Sequence, residues 1–213
     1  MSSGKRNRIP PSDLQEPVNF STFLTYCGII FVAVSLMIAI TTFWPVILEE
    51  LGYNIKHTVP LLQPRNVIPV DRKFGIVIPK IGANASVIPN VNPYNSREYQ
   101  AALTHGVAHA RGTTKPGEAG NVFLFSHSSV NFYEASRYNS VFYLLSKLEK
   151  GDTITLYYKD TPYTYTVTST KTVSSNAVEY LTKADTAKQT LTLMTCWPPG
   201  TTYRRLLVIA ERL

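Results

Sequence analysis

Thr153-Ile-Thr-Leu-Tyr-Tyr158 and Tyr163-Thr-Tyr-Thr-Val-Thr168 alternate with a period of two, and Asp160 and Pro162 stand between them. Successive side chains of a strand point to opposite faces, so the pair predicts two half-buried strands joined as a hairpin. Strand chemistry recurs on both sides. Before the hairpin come Phe74-Gly-Ile-Val-Ile-Pro79, Ala85-Ser-Val-Ile88 and the strongly apolar Asn121-Val-Phe-Leu-Phe-Ser126. After it, Thr190-Leu-Thr-Leu-Met-Thr195 and Arg205-Leu-Leu-Val-Ile-Ala210 flank a Pro-Pro-Gly loop. Helical spacing is scarce. Val141, Leu144, Leu145 and Leu148 fall at i, i+3, i+4 and i+7 and predict one short helix, and Ser96 to Leu103 predicts another. About seven or eight short strands separated by turn signals predict a mainly β domain. The expected architecture is a closed β-barrel of about eight strands with one or two short helices.

The chain has 213 residues, room for one compact domain and an appendage. The appendage stands at the start. Phe23 to Leu48 contains no charged residue and is longer than the roughly 20 apolar residues that span a bilayer as a helix. Tyr26 and Trp44 near its ends suit the membrane interfaces, and Pro45 predicts the helix exit. Secretory signals have shorter apolar cores, about 7–15 residues, followed by small residues. Here Glu49 and Glu50 follow, so a single uncleaved transmembrane helix is expected. Lys5, Arg6 and Arg8 precede the span, which leaves the N-terminus cytoplasmic and the larger part extracellular. The expected organisation is a disordered cytoplasmic tail over 1–22, the transmembrane helix over 23–48, an extracytoplasmic linker over 49–73 with Pro60, Pro64 and Pro69, and the barrel over 74–213. Net charge is +7, and from His57 onward 17 Lys/Arg face 10 Asp/Glu, so the excess sits on the outer domain. A basic domain is drawn to anionic polymers at a cell surface. No run of like charges and no nucleic-acid motif is present, which argues against nucleic acid as a partner.

Of the two cysteines, Cys27 lies inside the apolar span, so no disulfide with Cys196 is expected. Cys196 ends an apolar strand just before Trp197-Pro-Pro-Gly200, a rigid placement facing a loop. A thiol with an ordinary pKa of about 8.5 is only a few per cent thiolate at neutral pH, so a nucleophile here needs a proton acceptor or a cation nearby. His127 ends another apolar strand, and two strand ends can meet in a barrel. His57 lies in the linker. His105 and His109 are four apart, but Gly106 and Gly112 argue against a helix there and no third ligand stands near, so no metal or other cofactor is expected. Arg204 and Arg205 open the last strand; neighbours on a strand face opposite ways, so at most one reaches Cys196. A fixed guanidinium there would stabilise an oxyanion. On the residues alone, a membrane-anchored cysteine hydrolase and a non-catalytic barrel that binds cell-wall polymer stay open beside other acyl-transfer chemistry.

Leu193-Met-Thr-Cys-Trp-Pro-Pro-Gly-Thr-Thr-Tyr-Arg-Arg-Leu-Leu-Val208 resembles the Leu-x-Thr-Cys signature of sortases. The likeness is to short-loop members, in which a Pro/Gly loop follows the cysteine and an arginine stands nine positions on, before Leu-Leu-Val; here that residue is Arg205. The run from His105 through Pro116-Gly and Gly120-Asn to the strand ending in His127 is similar to a second family pattern. Phe74-Gly-Ile-Val-Ile-Pro-Lys-Ile-Gly82 and the Leu148-Glu-Lys-Gly-Asp152 turn resemble a third and a fourth. The likeness covers about Phe74 to Leu213. The Asp-Pro-aromatic tripeptide of pilin-polymerising members is not found before the domain. The resemblance implies a cysteine transpeptidase without cofactor, with His127, Cys196 and Arg205 catalytic and Thr195 and Trp197 touching substrate. It implies cleavage of a Leu-Pro-x-Thr-Gly-like sorting signal of surface proteins through a thioester. The acyl group would pass to an amine of a peptidoglycan precursor or to a pilin lysine.

Overall fold

The computed structural model describes residues 20–58, 67–128, 141–177, 180 and 187–213. The expected tail up to residue 19, the linker prolines Pro60 and Pro64, and the segment 129–140 lie outside the described residues. The chain falls into two units, one ending at Thr41 and one beginning at Thr42. Helix α1 (Phe20–Thr58) starts in the first and ends in the second. Its stretch Phe20–Thr41 has 22 residues and a mean hydropathy of 2.5, and none of it is buried against the rest of the chain. At 1.5 Å per residue it is about 33 Å long, enough by length and composition to cross the roughly 30 Å hydrocarbon core of a bilayer. Two of its hydroxyls turn back on the helix: Thr25 Oγ1 donates to the Ser21 carbonyl at 2.8 Å and Thr41 Oγ1 to the Met37 carbonyl at 3.0 Å. That pairing removes polar groups an apolar solvent would penalise. The helix does not end at Pro45, as the sequence suggests, but continues to Thr58. A proline forfeits one hydrogen bond of the ladder, which the neighbouring turns can tolerate.

The second unit holds the barrel. Its strands are β1 (Phe74–Ile78), β2 (Ala83–Val91), β3 (Val107–Ala110), β4 (Gly120–Phe125), β5 (Thr153–Tyr158), β6 (Thr161–Ser174), β7 (Gln189–Trp197) and β8 (Arg204–Arg212). They close in the order β1-β2-β3-β4-β7-β8-β6-β5. The β5–β6 hairpin turns through Lys159 and Asp160, both with positive φ, the geometry of a two-residue type I′ turn. Two pairs run parallel, β2–β3 and β4–β7. Parallel neighbours need a crossover. The first is α2 (Ser96–Leu103); the second spans the β5–β6 hairpin.

Inward side chains fill the barrel: Ile76 and Ile78 from β1, Val122 and Leu124 from β4, Ile154 and Leu156 from β5, Leu191 and Leu193 from β7. The opposite face of β4 carries Phe123 and Phe125 into a second cluster with Ala102 and Leu103 of α2. Strand β4 is therefore buried on both faces, which explains its unbroken apolar sequence. Phe142, Leu145 and Leu148 join the barrel core, but not as the expected helix. Residues 141–144 form turns and Leu145–Lys147 a single 3-10 turn. A chain folded in consecutive tight turns also brings residues three and four apart to one side, so the spacing fitted both conformations.

Strand β3 falls where no periodic strand signal stands in the sequence. Its four residues are all buried, so no alternation marks them. Gly106, before it, lies so close to β2 that a Cβ would stand 2.3 Å from the Ser86 carbonyl oxygen. His109 of β3 is 3% exposed and satisfied as a neutral ring. The Asn90 N–H donates to its Nδ1 at 3.3 Å, and its Nε2 lies 3.0 Å from both the Thr114 carbonyl and Thr113 Oγ1. Burial, the largest influence, holds its pKa below the ordinary 6.5; the Thr114 carbonyl opposes this, Lys115 adds to it and Glu118 opposes it. As pH falls through 6.5 the unfolded chain takes up the proton first. The contribution of His109 to stability is thus complete above that pH and lost below it. Thermal unfolding of the full chain between about pH 7 and about pH 5 should show a falling midpoint, and His109→Gln should flatten the fall. Equal slopes in the two proteins would remove His109 as the cause.

Candidate active site

Strands β4, β7 and β8 lie side by side; Cys196 is on β7, Arg205 on β8, and His127 stands two residues past the end of β4. On β7, Leu191 and Leu193 face the barrel interior, while Met194 packs with Phe123 and Phe125 outside it. Cys196 has the parity of Met194 and so belongs to the outer face. On β8, Leu206 and Val208 face inward, which gives Arg205 the outer face as well. The antiparallel register places Cys196 directly opposite Arg205, and Trp197 opposite Arg204. Strand parity therefore separates the two arginines, as the alternation of a strand requires. In the parallel β4–β7 pair, Phe125 lies beside Met194, and His127 and Cys196 are each two residues further along.

The three side chains line one cavity of about 230 Å³. Its lining is apolar at Leu103 and Tyr99 of α2, Phe125 and Met194, and it includes Gly200, Thr201 and Thr202 of the β7–β8 loop. That loop is set by a turn in which the Thr201 N–H and Oγ1 both donate to the Pro198 carbonyl, at 3.0 and 2.8 Å. Arg205 Nη1 donates to the carbonyls of Thr202 and Arg204 at 3.0 and 3.1 Å, which ties the guanidinium to the loop. Five donors in a rigid fork leave it further N–H groups to offer. His127 Nε2 lies 3.1 Å from Gln100 Oε1 of α2. Cys196 is a free, half-buried thiol.

Thr195 and Trp197, which the resemblance assigns to substrate contact, take different places. Thr195 lines the cavity, but its hydroxyl is buried and donates to the Ser126 carbonyl at 2.9 Å, so it ties the ends of β4 and β7 together. Trp197 faces away from Cys196 and packs against the barrel core, outside the cavity lining. The contribution of α2 was not legible from sequence spacing, because it depends on how the helix docks. Ser126 and Ser128 also line the cavity; their hydroxyls are buried and have no hydrogen-bond partner among the described residues. His105, away from the cavity, bonds locally to Thr104 Oγ1 and the Ala101 carbonyl. Among the described residues no cluster of His, Cys, Asp and Glu could hold a metal.

Residues 76–213 match the model of the sortase domain. Over 139 residues the chain is 27% identical to Sortase D of Bacillus subtilis (strain 168), a match covering 64% of this chain and 61% of that protein. The chain thus spans about three-fifths of that curated relative. Sortase C-1 of Actinomyces oris superposes with a TM-score of 0.55 at 28% identity, covering 68% of this chain and 76% of that one. The Sortase D5 transpeptidase of Clostridium perfringens superposes with a TM-score of 0.54 at 23% identity, covering 70% and 82%, a likeness of fold.

Proposed function

Since this chain belongs to the sortase family, we propose that it is a membrane-anchored cysteine transpeptidase with Cys196 as nucleophile, His127 as proton-transfer group and Arg205 as oxyanion partner. The observation that carries the proposal is the pairing of Cys196 with Arg205 across β7–β8 in a cavity that His127 also lines. The Cys196 thiolate attacks the carbonyl carbon of the scissile peptide bond, and the electron pair moves onto oxygen. The Arg205 guanidinium, tied to the loop carbonyls, offers N–H donors to that oxygen without reorganising. When the oxyanion collapses, the C–N bond breaks and His127 gives its proton to the leaving amine. A Cys196 thioester remains. An incoming amine attacks it, His127 takes the amine's proton, and the cysteine leaves as thiolate.

The substrate class is a C-terminal sorting signal resembling Leu-Pro-x-Thr-Gly, whose apolar residues suit the wall of Leu103, Phe125 and Met194. The acceptor is an amine of a peptidoglycan precursor or a pilin lysine. Helix α1 is the single anchor, with the N-terminus cytoplasmic and the barrel extracellular, as Lys5, Arg6 and Arg8 before the span indicate. The test is partition between water and amine. Full-length protein in detergent, given a fluorescent Leu-Pro-x-Thr-Gly peptide set and triglycine, should form ligated product in proportion to the amine. Hydrolysis alone at every amine concentration would make the protein a cysteine hydrolase instead.

A further inference from the structure

We propose that Gln100 is a residue that positions His127, by accepting a hydrogen bond from the ring at Oε1. The inference rests on the reading of His127 as the proton-transfer group. The contact is 3.1 Å from His127 Nε2 to Gln100 Oε1. An amide oxygen has no hydrogen to give, so in the neutral ring Nε2 carries the proton and Nδ1 the lone pair. A hydrogen bond of this kind sets both the tautomer and the ring plane.

Helix α2 is held firmly enough to do this. Asn95 Oδ1 caps it by accepting from the Glu98 N–H at 3.3 Å. Glu98 in turn accepts from the Asn92 N–H at 2.9 Å and from Arg111 Nη2 at 2.6 Å. Tyr99, Ala102 and Leu103 pack into the outer cluster, with the Tyr99 ring edge-on to Phe125 at 6.4 Å. Gln100 is thereby presented at the cavity wall by a helix anchored on both flanks. Among the described residues, the titratable and charged groups that share this cavity with His127 are Tyr99 of α2, Cys196 of β7 and Arg205 of β8. Against that set a neutral amide orients the ring without adding charge. A carboxylate at the same place would favour the imidazolium and oppose proton release.

The experiment compares wild type, Gln100→Leu and Gln100→Glu as full-length chains in detergent micelles. The nitrogen-15 shifts of the His127 ring are followed against pH, together with kcat and KM for peptide ligation. Gln100→Leu should lose the Nε2–H preference and lower kcat about tenfold, with KM within about twofold of wild type. Gln100→Glu should keep the Nε2–H tautomer and raise the His127 midpoint, and the matching limb of the kcat/KM profile, by about one pH unit. Unchanged ring shifts in Gln100→Leu, or an unmoved midpoint in Gln100→Glu, would overturn the inference. So would a rise in KM at constant kcat, which would make Gln100 a substrate contact. Ring shifts are read without turnover. A Cys196→Ala chain that still ligated peptide would therefore sink the underlying site assignment while the shifts still decided the Gln100 contact.

Discussion

Cys196→Ala is expected to lower peptide ligation and peptide cleavage by at least about 10⁴-fold, to the level of the uncatalysed reaction. The effect is so large because the thiolate is the only group proposed to bond covalently to the acyl carbon. Without it, His127 and Arg205 have no adduct to protonate or stabilise. The fold should survive the change. Cys196 is half-buried on the outer face and belongs to neither apolar cluster, so losing its sulfur opens no cavity in the core. Circular dichroism and thermal unfolding close to wild type, together with loss of both reactions, are the expected pair of results. A variant that loses hydrolysis but keeps ligation would contradict the scheme, because both reactions share the thioester.

The second large effect concerns two adjacent arginines. Arg205→Ala should lower kcat/KM by about 10²–10³-fold, the usual loss when a fixed oxyanion donor is removed. Arg204→Ala should stay within about threefold of wild type, because Arg204 is exposed and lies opposite Trp197 on the other parity of the strand. Arg205→Lys separates charge from geometry. An ammonium keeps the positive charge but lacks the planar fork that bonds the Thr202 and Arg204 carbonyls while offering more N–H groups. Most of the loss should persist in that variant. If Arg204→Ala proved the more damaging substitution, the β7–β8 register that underlies the site would be at odds with the chemistry.

The parts of the barrel visible in the sequence were those whose side-chain pattern has one structural solution. Thr153–Tyr158 and the strand after it alternate because one face packs on the core and the other meets solvent, and the hairpin formed as the pattern predicts. Arg204 and Arg205 could be told apart in principle for the same reason. Strand β3 hid because both of its faces are buried, leaving four residues with no periodic signal. The segment from Val141 to Leu148 misled in the opposite way, since stacked turns satisfy a helical spacing without forming a helix. Pro45 suggested a helix end where the ladder carries on. At the site, the residues at strand ends were legible because strands of one barrel finish near one another. Trp197 lies apart from them, because a one-residue step along β7 turns it toward the core. Gln100 was invisible for a different reason: its place beside His127 depends on the docking of α2, which local sequence does not encode.

The most direct measurement is the intact mass of the full-length chain after incubation with a sorting peptide and no amine, followed by peptide mapping. The account predicts a gain equal to the acyl fragment of the substrate, located on Cys196, released by hydroxylamine and missing from Cys196→Ala. Product formation with Cys196 unmodified at every time point, or the acyl group found on another residue, would contradict it.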